Sequence, residues 1–204
     1  MKKLALIAMI AGSFIIASCG GGKEENNDNN NDSTQVVDEV TAEDVCVNEN
    51  AMTVTVKDHE LNDNTDFVFE TANFEVKMDD YKYVNDSTAE FTLSNYSTEE
   101  LVGDRLPEQV DIFVELHAKN GKTLEPAIYP YQEWDNDYWS KVNIITSEGT
   151  VWFNWVMGMP EQGDVVIDFI DEKNICGSFK LNVEKPENAS IGIVRLNGTF
   201  NIAK

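Results

Sequence analysis

The sequence predicts an all-β fold: one antiparallel β-sandwich, either Ig-like or closed into a small barrel. Three observations predict it. Apolar and polar residues alternate with period two along several short segments, the pattern of strands with one face in a core and one in water. Gly, Pro, Asn and Asp clusters separate these segments at short intervals, as in sandwiches and barrels built of many short strands. No stretch longer than about ten residues keeps a helical period.

The elements follow in chain order. Met52, Val54 and Val56 alternate with Thr53, Thr55 and Lys57, and Phe74, Val76 and Met78 alternate with Glu75 and Lys77. Ala89, Phe91 and Leu93 alternate with Glu90 and Thr92. Val110, Ile112, Val114 and Leu116 alternate with Asp111, Phe113, Glu115 and His117. Each run predicts a half-buried strand. Residues 99–109 have room for one helical turn. Asn120-Gly121 is a two-residue signal for a hairpin turn. Residues 151–157 and 165–170 are apolar on both faces except at Asn154 and Asp168, which predicts central strands. Phe179, Leu181 and Val183 mark a further strand, and residues 185–188 break it from the last, 193–202. Gly177 and Gly198 suit bulges or close strand approaches. About eight or nine strands are expected, with no second domain after residue 45.

The N-terminus reads differently. Lys2 and Lys3 precede an apolar run over residues 4–17. That run is short for a membrane span of about 20 residues and fits a secretory signal segment. Ile16-Ala17-Ser18-Cys19 resembles the lipobox of bacterial lipoproteins. The resemblance implies cleavage before Cys19 and lipidation of that cysteine, and several acyl chains anchor stably where one holds only marginally. Residues 20–34 carry no large apolar side chain, so they read as a tether that cannot bury enough surface to fold. Lys23-Glu24-Glu25, shortly after Cys19, resembles the surface-export signal of Bacteroidota lipoproteins; a plain polar linker is the other reading. Asp32-Ser33-Thr34 and Asp86-Ser87-Thr88 resemble the O-glycosylation acceptor of the same group. The expected organisation is a signal peptide over 1–18, a lipidated tether over 19–44 and a β domain over 45–204. The implied location is the outer membrane, lipid-anchored, with exposure at the cell surface where Lys23-Glu24-Glu25 is the export signal and no such implication where it is a plain linker.

Residues 175–181 (ICGSFKL) and 193–202 (IVRLNGTFNI) resemble the C-terminal strand pair of uncharacterised Bacteroidota lipoprotein domains. The resemblance implies an all-β surface or periplasmic domain and no known activity. Cys176 and Ser178 depart from its pattern.

Charge narrows the partners. The chain carries 37 Asp and Glu against 15 Lys and Arg, a net charge of −22. A nucleic acid needs a cationic face, and so does an anionic lipid surface; membrane association must come through the anchor. Spread acidity of this kind also keeps a surface protein soluble.

Cys46 and Cys176 are an even pair in an exported chain, which permits a disulfide. Two small buried hydrophobes are the alternative. Neither thiol has a basic neighbour in sequence to activate it.

The densest unusual feature is residues 129–139, with Tyr129, Tyr131, Trp134, Tyr138 and Trp139 interleaved with acids and amides. The simpler reading has these rings capping the core, with Tyr O–H and Trp N–H groups finding local partners. The functional reading is a platform on which sugar rings stack, with Asp, Asn and Gln for hydroxyls. Residues 63–66 and 135–137 offer oxygen ligands for calcium, but neither matches a twelve-residue calcium loop, so no metal ligands and no cofactor are assigned. His117 reads as a surface residue and His59 as a loop residue. Nucleophile-elbow, zincin and phosphate-loop motifs are absent from the sequence, and the many carboxylates single out no glycosidase pair. The expectation is a surface binding module rather than an enzyme, for a glycan or another surface ligand. The alternatives are a protein-interaction or envelope-assembly accessory, partnered by an outer-membrane protein, and then a carboxylate hydrolase.

Overall fold

The computed structural model describes residues 40–58, 67–101, 103–151, 162–184 and 193–202. Among them one short helix, α1 (Ala42–Val45), precedes eleven strands. These are β1 (Ala51–Asp58), β2 (Phe67–Thr71), β3 (Met78–Asn85), β4 (Thr88–Ser94), β5 (Asp111–Ala118), β6 (Ala127–Pro130), β7 (Tyr138–Thr146), β8 (Gly149–Val151), β9 (Gly163–Ile170), β10 (Ile175–Glu184) and β11 (Ile193–Ile202). They form two antiparallel sheets, ordered β2-β1-β11-β10-β9-β6 and β3-β4-β5-β7-β8. The sheets pack face to face as a sandwich and do not close into a barrel.

Period two sends alternate side chains inward. Met52, Val54 and Val56 on β1 are buried, as are Phe91 and Leu93 on β4 and Ile112, Val114 and Leu116 on β5. Phe91 from one sheet meets Phe179 and Phe200 from the other, with ring centroids 4.9 Å apart for Phe91–Phe200 and 4.8 Å for Phe179–Phe200. Each such ring taken from water contributes about 1.5–3 kcal/mol. This triad joins the two sheets at their centre.

Four expectations need correction. The strand over residues 74–78 lies later, as β3. Only Tyr81 on it is buried, because β3 is an edge strand and its polar sequence carries little alternation. The segment before it makes isolated backbone bonds instead, Phe74 N–H to Met52 C=O and Lys77 N–H to Ser94 C=O. Asn120 and Gly121 do adopt positive φ, 58° and 76°, yet they make no hairpin. The chain turns there and crosses to the other sheet, where β6 pairs with β9. Among the described residues of 99–109 there is no helical turn, only separate turns closed by Glu100 N–H to Ser97 C=O and Gln109 N–H to Leu106 C=O. The strands number more than nine because β2, β6 and β7 carry weak or short alternation. The expected central strand over 151–157 lies outside the described residues from 152 on. So do Cys19, the tether with Ser33, His59 and the acidic run at 63–66.

Cys46 and Cys176 form a disulfide, with Cα atoms 5.7 Å apart. It ties the segment before β1 to the start of β10. Beside it, β10 shifts register against β9 between Cys176 and Gly177. A Cβ on Gly177 would lie 2.0 Å from the Val166 carbonyl oxygen, so the close approach demands glycine there.

Candidate functional site

Residues 129–139 carry the chain from β6 in one sheet to β7 in the other. The crossing is fastened to both sheets. Tyr131 donates its N–H to the Gly163 carbonyl, and Gln132 donates its N–H to Ser140. The Ser140 hydroxyl donates to the Tyr129 carbonyl at 2.9 Å. Gln132 takes a left-handed conformation, φ 52°, which turns the loop outward before Trp134.

That crossing divides the five aromatic residues by position. Tyr129 and Tyr131 are core residues, 0% and 2% exposed, and offer no ring to a ligand. Their role as ligand contacts is corrected: both side chains are buried in the core between the sheets. The Tyr129 hydroxyl is satisfied locally, donating to the Glu125 carbonyl at 2.9 Å, and burial raises its pKa to about 12. Tyr138 is half-buried. Its hydroxyl bonds the Glu125 carboxylate, a contact that with desolvation raises its pKa to about 12.

Trp134 and Trp139 behave otherwise. Trp134 is 56% exposed, a large apolar ring held out in water. Trp139 meets it edge-on, with centroids 6.1 Å apart and planes at 67°. The opposite partner of Trp139 is His117, its cross-strand neighbour on β5, with rings 3.9 Å apart and nearly parallel. Lys119 Nζ lies 5.8 Å from the Trp139 ring centroid and donates to the Trp134 carbonyl. The result is a step of three rings in which Trp139 and His117 form the riser and Trp134 the exposed tread.

The loop that carries Trp134 is clamped by Asp137. Asn120 donates to one Asp137 carboxylate oxygen at 2.7 Å, and Lys122 Nζ lies 3.0 Å from the other. Lys119 N–H also donates to the Asp137 carbonyl. The Asn120 and Lys122 contacts hold the Asp137 carboxyl below the usual range. A second brace spans the loop itself, from the Asn136 amide to the Glu133 carboxylate at 2.6 Å. The Asn120-Gly121 turn thus positions the aromatic loop instead of joining two strands.

His117 was legible only as a polar-face residue. Its contact with Trp139 depends on the β5–β7 register, and no local sequence pattern encodes that. Burial lowers its pKa, opposed by the Glu115 carboxylate 3.4 Å away.

An open cavity of about 470 Å³ lies elsewhere, at the connection between β4 and β5, lined by Lys77, Asn95, Tyr96, Glu100, Leu106 and Gln109 among others. Its polar groups are already engaged in fastening the loop. Asn95 bonds Glu108 and Val110, Gln109 bonds Glu100 and Leu106, and Lys77 pairs with Glu100. Tyr96 accepts from Arg105, which also pairs with Asp111 at 2.5 Å. The lining is loop scaffolding and leaves few donors or acceptors for a ligand. Among the described residues, no group of three or more His, Cys, Asp and Glu side chains is placed to hold a metal ion. None of their helices is long and apolar enough to cross a membrane.

No protein-family model matches the chain, and no curated protein or solved structure matches it.

Proposed function

We propose that this chain is a lipid-anchored surface lipoprotein whose β-sandwich binds glycans through Trp134, supported by Trp139 and His117. The observation that carries the reading is the exposed Trp134 ring on a braced loop. Exposing an indole forfeits its hydrophobic stabilisation, and holding its loop with five polar contacts spends further order on the same spot. A rigid aromatic face suits the C–H face of a sugar, and preorganisation limits the entropy lost on binding. The lipobox and tether, read from sequence, support display at a membrane surface.

The test is a fluorescence titration of the purified protein with soluble polysaccharides. The expected result is a saturable change in tryptophan emission that Trp134→Ala removes while leaving the thermal midpoint within a few degrees. A flat response to every polysaccharide would refute the reading.

A protein-docking role has one observation in its favour. β2 is an edge strand with Val68 59% exposed, and open edges accept added strands. Co-purification of an outer-membrane protein, lost on Val68→Lys, would support that role.

A further inference from the structure

The shape and charge of the aromatic step carry a statement about which glycans it takes. We infer that the site selects single, soluble, electrically neutral glycan chains, and rejects both uronic-acid polymers and crystalline polysaccharide surfaces. This rests on the glycan-binding reading above.

Shape argues first. A flat crystalline surface is gripped by several aromatic rings lying in one plane. Here the Trp134 and Trp139 planes stand 67° apart, and one neighbour of Trp139 is already the His117 ring at 3.9 Å. Only one indole can lie beneath a sugar ring at a time. The other meets that sugar from the side, as a wall. Such a corner accepts one pyranose unit of a mobile chain and cannot track a plane.

Charge argues second. Three carboxylates flank the exposed indole within the loop: Glu133, Asp135 and Asp137. Asp135 is exposed and makes no ion pair among the described residues. Of the two ammonium groups nearby, one is neutralised and the other is held in place. Lys122 pairs with Asp137 at 3.0 Å. Lys119 donates to the Trp134 carbonyl and lies by the Trp139 ring. A polymer bearing one carboxylate per sugar would bring its charges against three rim carboxylates with Lys119 as the one nearby ammonium not paired to a carboxylate among the described residues, and that ammonium is held on the Trp134 carbonyl, on a chain whose net charge is already −22. At low salt, unscreened like charges oppose both encounter and docking. Neutral hydroxyls meet no such cost, and the rim carboxylates can accept their hydrogen bonds.

The experiment uses the full chain and four probes: laminarin and xyloglucan as neutral soluble glucans, polygalacturonate, and microcrystalline cellulose. Affinity is read by tryptophan fluorescence for the soluble probes and by pull-down for cellulose. The expected result is saturable binding of at least one neutral glucan at 20 mM salt and at least tenfold weaker binding of polygalacturonate. That gap narrows at 500 mM salt, and cellulose retains no protein. The double variant Glu133→Gln, Asp135→Asn raises affinity for polygalacturonate at least threefold relative to the neutral glucan. Equal or tighter binding of polygalacturonate, retention on cellulose, or a ratio unmoved by the double variant overturns the selectivity and leaves glycan binding standing. Binding to none of the four overturns glycan binding, and the selectivity with it.

Discussion

The imidazole of His117 and the indole of Trp139 lie face to face, 3.9 Å between centroids and 7° from parallel. They are direct cross-strand partners on β5 and β7, where residues opposite each other come within side-chain contact. The pair stiffens the edge against which Trp134 leans. It also places a titratable ring beneath the site, with Glu115 beside it and Lys141 bonded to Glu115 at 2.9 Å.

That placement makes stability depend on pH in a defined direction. Burial holds the His117 pKa below 6.5 in the folded chain, while the unfolded chain titrates near about 6.5. As pH falls through about 6.5, the unfolded state takes up a proton first, so stability declines until the folded His117 also protonates, and then levels. His117→Gln removes this component. Thermal melts from pH 7.5 to 5 should show a shallower decline for His117→Gln than for the wild type. Proton NMR should place the His117 midpoint below 6.5; a midpoint above 6.5 would reverse the sign.

Trp134 and Trp139 should separate in mutational response. Trp134→Ala removes a mostly exposed ring and should change unfolding free energy by less than about 0.5 kcal/mol. Trp139→Ala strips a half-buried ring from His117 and should cost about 1–3 kcal/mol. Urea denaturation of the two variants checks the contrast. Equal costs would mean that Trp134 packs as deeply as Trp139.

These side chains also show what the sequence could disclose. β1, β4, β5, β10 and β11 were legible because each carries alternate apolar residues toward the core, such as Ala89, Phe91 and Leu93. β7 hid because its inward row opens with Ser140 and closes with Thr146. Ser140 is satisfied across the crossing, by the Tyr129 carbonyl, and Thr146 within the β7–β8 turn, by the Gly149 carbonyl, so both stay buried without an apolar signature. β3 hid because an edge strand needs only Tyr81 in the core. The aromatic cluster was legible as a cluster. Its division into core tyrosines and an exposed tryptophan was not, because the β6–β7 crossing decides which rings are locked between sheets.

Gly198 tests a strand contact inside the six-stranded sheet, between Met52 on β1 and Phe179 on β10. It sits at φ 134°, and a Cβ there would lie 2.0 Å from the Ala51 carbonyl oxygen on β1. Backbone cannot yield as a flexible side chain can. Gly198→Ala therefore combines a disfavoured φ with a backbone clash in the β1–β11 pair and should destabilise by about 2–4 kcal/mol. Gly121→Ala, with a positive φ but open space around it, should cost less, about 1 kcal/mol. Equal losses in a chemical denaturation series would show that the strands can part at Gly198.

The disulfide carries the last prediction. Cys46 and Cys176 are 130 residues apart in sequence, so their bond closes a loop that holds most of the domain. Removing it frees a large denatured ensemble, and chain-entropy reasoning gives about 3–5 kcal/mol for a loop of this length. The folded state should persist without it. Asn201 still donates to the Cys46 carbonyl at 2.7 Å and to Asn48 at 3.2 Å, and Asn50 accepts the Asn201 N–H. Those bonds hold the entering segment against β11, which lies between β1 and β10 in the sheet. Reduction should therefore lower the guanidinium midpoint while leaving the far-UV spectrum of the native state unchanged. The m-value should rise, because the reduced chain exposes more surface when it unfolds. Cys46→Ala with Cys176→Ala should reproduce both effects without reductant. A midpoint unchanged by reduction, with free thiols confirmed by labelling, would show that the bond constrains neither state.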